Sequence, residues 1–235
     1  MLHALLKKLI YSRPIQEFRN FIKPLFRVFF KDLHTKTFRF NGSSYHYFTQ
    51  GEYNNPWKNE RAVEISIGIA YLKKYKEKHI LEVGNVLSNY VPVTHDVLDP
   101  YDTEPFVIKE DIATYRSKKK YDLILCISTL EHIGWDMGDE NGGIQPDKSI
   151  KAIKKMKSLL APKGTLIVTT PFGYNPYLDE RILNNKIPFL EKHYLKRTSI
   201  FNYWKEVKTF DTKDLQYDVI VMSPRLLHVG IMKNI

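Results

Sequence analysis

Acidic and small polar residues close a series of short apolar runs in this chain. Glu82-Val83-Gly84-Asn85 ends HILEVGN, Asp99 ends HDVLD, Asp111-Ile112 ends FVIKEDI, and Ser128-Thr129-Leu130-Glu131-His132 follows YDLILC. These types, in this order, suit a nucleoside. A carboxylate at Asp99 accepts two hydrogen bonds from a ribose diol, as the acidic residue of dinucleotide folds does. Glu82, beside a glycine turn, suits a cationic amino group, and Asp111 suits the amino group of an adenine. Singly, such an acid is more often a solvated strand end; the information lies in their order.

Such residues can act together only if the chain gathers them. From His79 onward, short apolar runs read as strands over 79–85, 95–99, 106–112, 121–128 and 165–170. A helix over 147–161 turns Ile150, Ile153, Met156, Leu159 and Leu160 inward and is ended by Pro162-Lys163-Gly164. Apolar strands joined by helical segments predict an α/β fold whose mostly parallel sheet is covered by helices on both faces. Ligands of such sheets sit beyond the carboxyl ends of the strands, where the closing residues above fall. The tail carries further strand candidates at 203–210, 217–223 and LLHVGIMK, expected at the edge of the same sheet. Upstream, NERAVEISIGIAYLKKY reads as a helix with Ala62, Ile65, Ile69 and Leu72 inward. TFRFNGSSYHYF reads as a β-hairpin turning at Asn41-Gly42. The expected division is an arm with hairpin over 1–58 and a main domain over 59–235.

ILEVGN, VLD, KEDI, YDLILCISTLEHI and LLAPKGTLIVTTPFG follow the motif order of the class I S-adenosylmethionine-dependent methyltransferases, which the chain resembles over about residues 79–172. NNPWKNERAVEISI with EVGNVLSNY further resembles a branch of sugar and small-molecule methyltransferases. The resemblance implies a Rossmann-like sheet and S-adenosylmethionine as cofactor, bound by Glu82, Gly84, Asn85, Asp99, Asp111, Ile112 and Ser128. It implies methyl transfer to an oxygen of a sugar, glycan or related small metabolite. His132 is then the candidate base, since a neutral imidazole with a pKa of ~6.5 can take a hydroxyl proton; it reads equally as a residue that shapes the cofactor pocket. Trp135 and Asp136 in GWDMGDENGGIQPD, and Tyr174 and Asn175 after the fifth strand, are candidate acceptor contacts.

The chain departs from the family where a G-x-G-x-G loop is usual: Gly84-Asn85-Val86-Leu87-Ser88 holds a single glycine. Asn85 and Ser88 tolerate turns. The same deficit counts against a nicotinamide dehydrogenase, whose pyrophosphate needs G-x-G-x-x-G. N-P-P-Y is absent after the fourth strand and so is a proline-cysteine pair, so base methylation is disfavoured and nucleic acid is not an expected partner. Methylation of RNA or protein, and a non-catalytic binding role, remain the alternatives. Eight histidines without H-E-x-x-H and one cysteine predict no metal site.

The chain has 235 residues, 43% of them hydrophobic, with a net charge of +10. Residues 1–36 hold eight basic and two acidic residues, so most of the excess belongs to the arm. Phe18, Phe21, Phe26, Phe29 and Phe30 form a helical stripe over 15–33, with Arg19, Lys23, Arg27 and Lys31 beside it. Such a helix either packs on the domain or contacts an acidic membrane or a second copy of the chain. Cys126, inside an apolar run, reads as core. A lone cysteine and no apolar run of ~18 residues predict a cytoplasmic or membrane-peripheral protein.

Overall fold

A computed structural model describes residues 30, 32–135, 143–218 and 223–234. The arm helix expected over 15–33, with its basic row, lies outside the described residues apart from its last few positions. Asp136 and most of its loop lie outside them too.

The chain begins in a hairpin of β1 (Thr37–Phe40) and β2 (Ser43–His46). Phe40 pairs with Ser43 across the two-residue turn, and Asn41 and Gly42 take φ of 47° and 75°. That left-handed pair is what Asn-Gly favours in a tight hairpin. The alternation read from TFRF holds: Phe38 and Phe40 are buried, Thr37 and Arg39 exposed. Helix α1 (Arg61–Lys74) follows. It buries Ala62, Val63, Glu64, Ile65, Ile67 and Gly68, more than one stripe, while the expected inward residues Ile69 and Leu72 are only partly buried.

One eight-stranded sheet then forms from β3 (Ile80–Val83), β4 (Asp96–Leu98), β5 (Val107–Ile108), β6 (Tyr121–Ile127), β7 (Leu160–Pro171), β8 (Glu191–Arg197), β9 (Trp204–Val207) and β12 (Leu226–Lys233). Its order is β5-β4-β3-β6-β7-β12-β8-β9. The pairs from β5 to β7 are all parallel, and β12 and β9 run antiparallel to their neighbours. The chain moves outward from β3 through β4 to β5, then restarts on the other side at β6. The switch point is therefore between β3 and β6, as in doubly wound folds.

Helix α2 (Lys148–Leu159) joins β6 to β7, and α3 (Pro176–Leu183) follows β7. Leu160, expected as the inward end of the helix, is instead extended at ψ 138° and opens β7. The crossovers between β3 and β6 contain no α-helix, only a 3-10 turn at Leu87–Asn89. Both faces are nevertheless covered. Ile65, Ile67 and the hairpin's Phe38 and Phe40 pack with Leu123, Leu125 and Ile167 on one face. Ile153, Met156, Leu178 and Ile182 from α2 and α3 pack with Ile124, Cys126 and Val168 on the other.

Two expectations about the tail change. LLHVGIMK is not an edge strand: β12 lies inside the sheet between β7 and β8, which is why seven of its eight residues are buried. The run at 217–223 supplies β10 (Tyr217–Asp218) and β11 (Ser223–Pro224), a separate two-stranded ribbon. Strand β8, EKHYLKR, is polar enough to give no strand signal, with only Leu195 fully buried.

Candidate functional site

The carboxyl ends of β3, β4, β5 and β6 open into one cavity of about 410 Å³ at the switch point, within the ~300–1,000 Å³ usual for small-molecule pockets. Its lining includes Gly84, Asn85, Asp99, Asp111, Ile112, Ser128 and His132. Six of the seven residues read from the sequence as cofactor contacts thus line the same cavity as the candidate base.

Gly84 turns the chain out of β3 at φ +85°, and a Cβ there would stand 2.1 Å from Oγ1 of Thr129. Glycine is needed at this position both for its backbone conformation and for the close approach of Thr129 in the turn after β6. Beyond it the loop is held by carboxylates instead of by further glycines. Glu82, completely buried and not part of the cavity lining, accepts hydrogen bonds from the Val86 and Leu87 N–H groups at 2.9 and 2.7 Å. Its second oxygen is 2.9 Å from His95 Nε2. Its oxygens are spent on fixing the loop. Asn85 donates from its side chain to Asp102 at 2.8 Å and accepts from Ser88.

Asp99 receives the N–H groups of Tyr101, Asp102 and Asn85 at 2.9, 3.2 and 3.2 Å. These three bonds hold the carboxylate in place and occupy part of its ~four lone-pair sites. Asp111 caps the Ala113 N–H at 2.8 Å and pairs with Lys148 at 2.9 Å, so it is held by the first residue of α2. Ser128, at φ 36°, turns its hydroxyl toward Glu64 of α1 at 2.5 Å.

Arg61 and Lys148 also line the cavity, and neither was read from the sequence. Arg61 is buried and pairs with Glu64 at 3.1 Å. Burial alone would lower its pKa, but Glu64, Glu60 and Glu131 raise it overall. Its signal was present: in NERAVEISI, Arg61 and Glu64 stand three apart on a helix that buries its apolar neighbours, the spacing of an internal ion pair.

His132 lines the cavity with its side chain 44% exposed, 3.8 Å from the buried Glu131 carboxylate. Tyr174 meets the His132 ring edge-on at 4.8 Å and the Tyr217 ring at 5.4 Å. Trp135 packs against Tyr177 at 5.5 Å. Asn175 is buried: it accepts from the Leu178 N–H as the N-cap of α3 and donates to the Glu131 carbonyl at 2.9 Å. Its side chain fixes the strand-end turn and does not face the cavity.

The wall fits a nucleoside-bearing cofactor. Acceptors at Asp99 and Asp111, the cation Arg61 and the apolar Ile112 and Ile133 line the same space. Among the described residues, no cluster of three or more His, Cys, Asp or Glu could hold a metal ion. No helix among them is long and apolar enough to cross a membrane.

No protein-family model matches the chain, and no curated protein matches it. Among solved structures, it is similar to the N-methyltransferase NodS from Bradyrhizobium japonicum WM9 in complex with S-adenosyl-L-homocysteine, at TM-score 0.45 and 16% identity over 76% of this chain and 91% of that one. It is similar to a SAM-dependent methyltransferase from Thermotoga maritima at TM-score 0.46 and 13% identity, covering 73% and 87%. A third is the SAM-bound magnesium protoporphyrin IX methyltransferase from Synechocystis PCC 6803, at TM-score 0.37 and 14% identity, covering 71% and 77%. Likenesses this distant decide no activity; the chain's own strand order, with its switch point opening on the cavity, defines a Rossmann-like α/β fold.

Proposed function

We propose that the protein is an S-adenosylmethionine-dependent methyltransferase acting on an oxygen of a sugar, glycan or related small metabolite. One observation carries the reading: Gly84, Asn85, Asp99, Asp111, Ile112 and Ser128, singled out by their motif positions, line a single cavity with His132. When bound, the cofactor supplies an electrophilic methyl group. The chain's own residues do the rest. Asp99 accepts a ribose hydroxyl, Asp111 the adenine amino group, and the loop pinned by Glu82 gives the cavity its wall. His132, exposed at the rim, takes the proton of an acceptor hydroxyl. Holding that hydroxyl in line with the methyl group supplies much of the acceleration.

Calorimetry on the full chain tests the reading. S-adenosylmethionine and S-adenosylhomocysteine should bind, and Asp99→Ala should weaken both by ~1–3 kcal/mol through the lost charged hydrogen bond. No binding of either at millimolar concentration would overturn the reading in favour of a non-catalytic binding protein. His132→Ala should lower turnover and leave cofactor affinity nearly unchanged; a fall in affinity would make His132 a pocket residue. Comparing glycans and metabolites from cells with and without the protein, for products one methyl group heavier, identifies the acceptor.

A further inference from the structure

A buried histidine behind the cavity wall spends its ring on the residue that shapes that wall. His95 stands immediately before β4, with its side chain 1% exposed. Its Nε2 lies 2.9 Å from Oε2 of the completely buried Glu82. A carboxylate accepts and does not donate, so the shared proton is carried on Nε2. Nδ1 is buried and has no partner among the described residues. The hydrogen-bonding capacity of the ring is thus directed at Glu82.

Glu82 passes that hold on to the loop after β3. Its other oxygen, Oε1, accepts the N–H groups of Val86 and Leu87. Their turn carries Asn85, which lines the cavity and whose own N–H is 3.2 Å from Asp99. The chain on either side of β4 therefore grips the loop twice, before the strand through His95 and Glu82 and after it through Asp99. A glutamate side chain is flexible, and a bond to one oxygen leaves its carboxylate free to turn. Bonds to both oxygens fix the carboxylate plane, and with it the direction from which Oε1 meets the two N–H groups. This matters most in a loop that has one glycine and relies on side chains to hold its backbone.

We propose that His95 is a positioning residue of the cavity: by holding Oε2 it aims Oε1 of Glu82 at Val86 and Leu87, and so fixes the loop that presents Asn85 to a nucleoside ligand. That this ligand is S-adenosylmethionine rests on the methyl-transfer reading; the clamp does not. His95 does not line the cavity, so its effect on a ligand passes through Glu82.

The test reads the loop by hydrogen exchange, which measures how often each amide opens. The Val86 N–H is also 3.1 Å from the Gly84 carbonyl, so the Leu87 amide, bonded to Glu82 at 2.7 Å, is the reporter. Ile124, in the middle of β6, is the control. His95→Leu keeps the bulk and removes the donor, whereas His95→Gln keeps a donor at the reach of Nε2. In the leucine variant Leu87 should lose at least ~10-fold more protection than Ile124, and S-adenosylhomocysteine should bind at least ~10-fold more weakly by calorimetry, ~1.4 kcal/mol in each case. Glutamine should bring both back to within ~3-fold of wild type. If His95→Leu does not fold, His95→Asn, whose amide falls short of Glu82, replaces it. An unchanged Leu87 rate, an equal loss at Ile124, a glutamine variant as damaged as the leucine one, or a faster Leu87 with unchanged cofactor affinity overturns the proposal. S-adenosylhomocysteine that binds neither wild type nor variants sinks the methyl-transfer reading, while Leu87 exchange still decides the clamp.

Discussion

Gly84 and Glu82 show how one loop can be built with a single glycine. The conformation at φ +85° and a site with no room for a Cβ beside Thr129 both fall at Gly84; the following turn is held by two hydrogen bonds into Glu82. Gly84→Ala should therefore lower stability by ~1–3 kcal/mol, read as a lower urea midpoint, and an unchanged midpoint would contradict the geometry. Glu131 gives a pH dependence of definite sign. Its pKa rises from an ordinary 4.5 to about 8 through burial, so between those values the folded chain holds a proton that the unfolded chain has released. Stability is then fully present below about 4.5 and falls as pH rises toward about 8. The thermal midpoint of the wild type should fall across that window more steeply than that of Glu131→Gln. Equal slopes would remove Glu131 as the cause. These residues differ in how well sequence reveals them. Motif order was enough to point to Asp99 and Asp111, but that Glu82 faces its own loop depends on the turn after β3, and that Arg61, Glu64 and Ser128 meet depends on contacts between α1 and the end of β6.

Elements follow the same division. Period-two alternation and an Asn-Gly turn specify β1 and β2 locally, and long apolar runs specify β3, β6 and β7. Strand β8 escaped because its partners, not its composition, make it a strand: it pairs with β12 on one side and β9 on the other. The position of β12 was legible in principle, since an edge strand seldom carries so unbroken an apolar run. The hairpin is fastened to the far edge of the sheet through Tyr47, whose hydroxyl accepts from the Trp204 N–H at 2.7 Å and donates to the Trp204 carbonyl at 3.2 Å. Tyr47→Phe leaves both backbone groups buried without a partner and should cost ~1–3 kcal/mol. A urea midpoint equal to wild type would show that the hairpin is held by its other contacts, Phe38 and Phe40 in the core and Asn41 on Glu191 and Glu206.

Across the whole molecule, charge and fold are separable. Most of the +10 lies before residue 37, so a chain beginning at Thr35 should lose much of any binding to anionic vesicles; flotation with and without the arm measures this, and equal flotation would assign the attraction to the domain surface. The sheet itself has an order of manufacture. Because β12 separates β7 from β8, the ribbon of β8 and β9 has no place in the sheet when it leaves the ribosome. It must wait, with two unpaired edges, until the 26 residues from Lys208 to Lys233 have been added, a delay set by elongation at ~5–20 residues per second. During that interval the first five strands can already frame the cavity while the rest of the sheet is still open. The nascent chain is thus exposed to strand-edge aggregation at one defined stage of its synthesis, and that is when a chaperone would be needed.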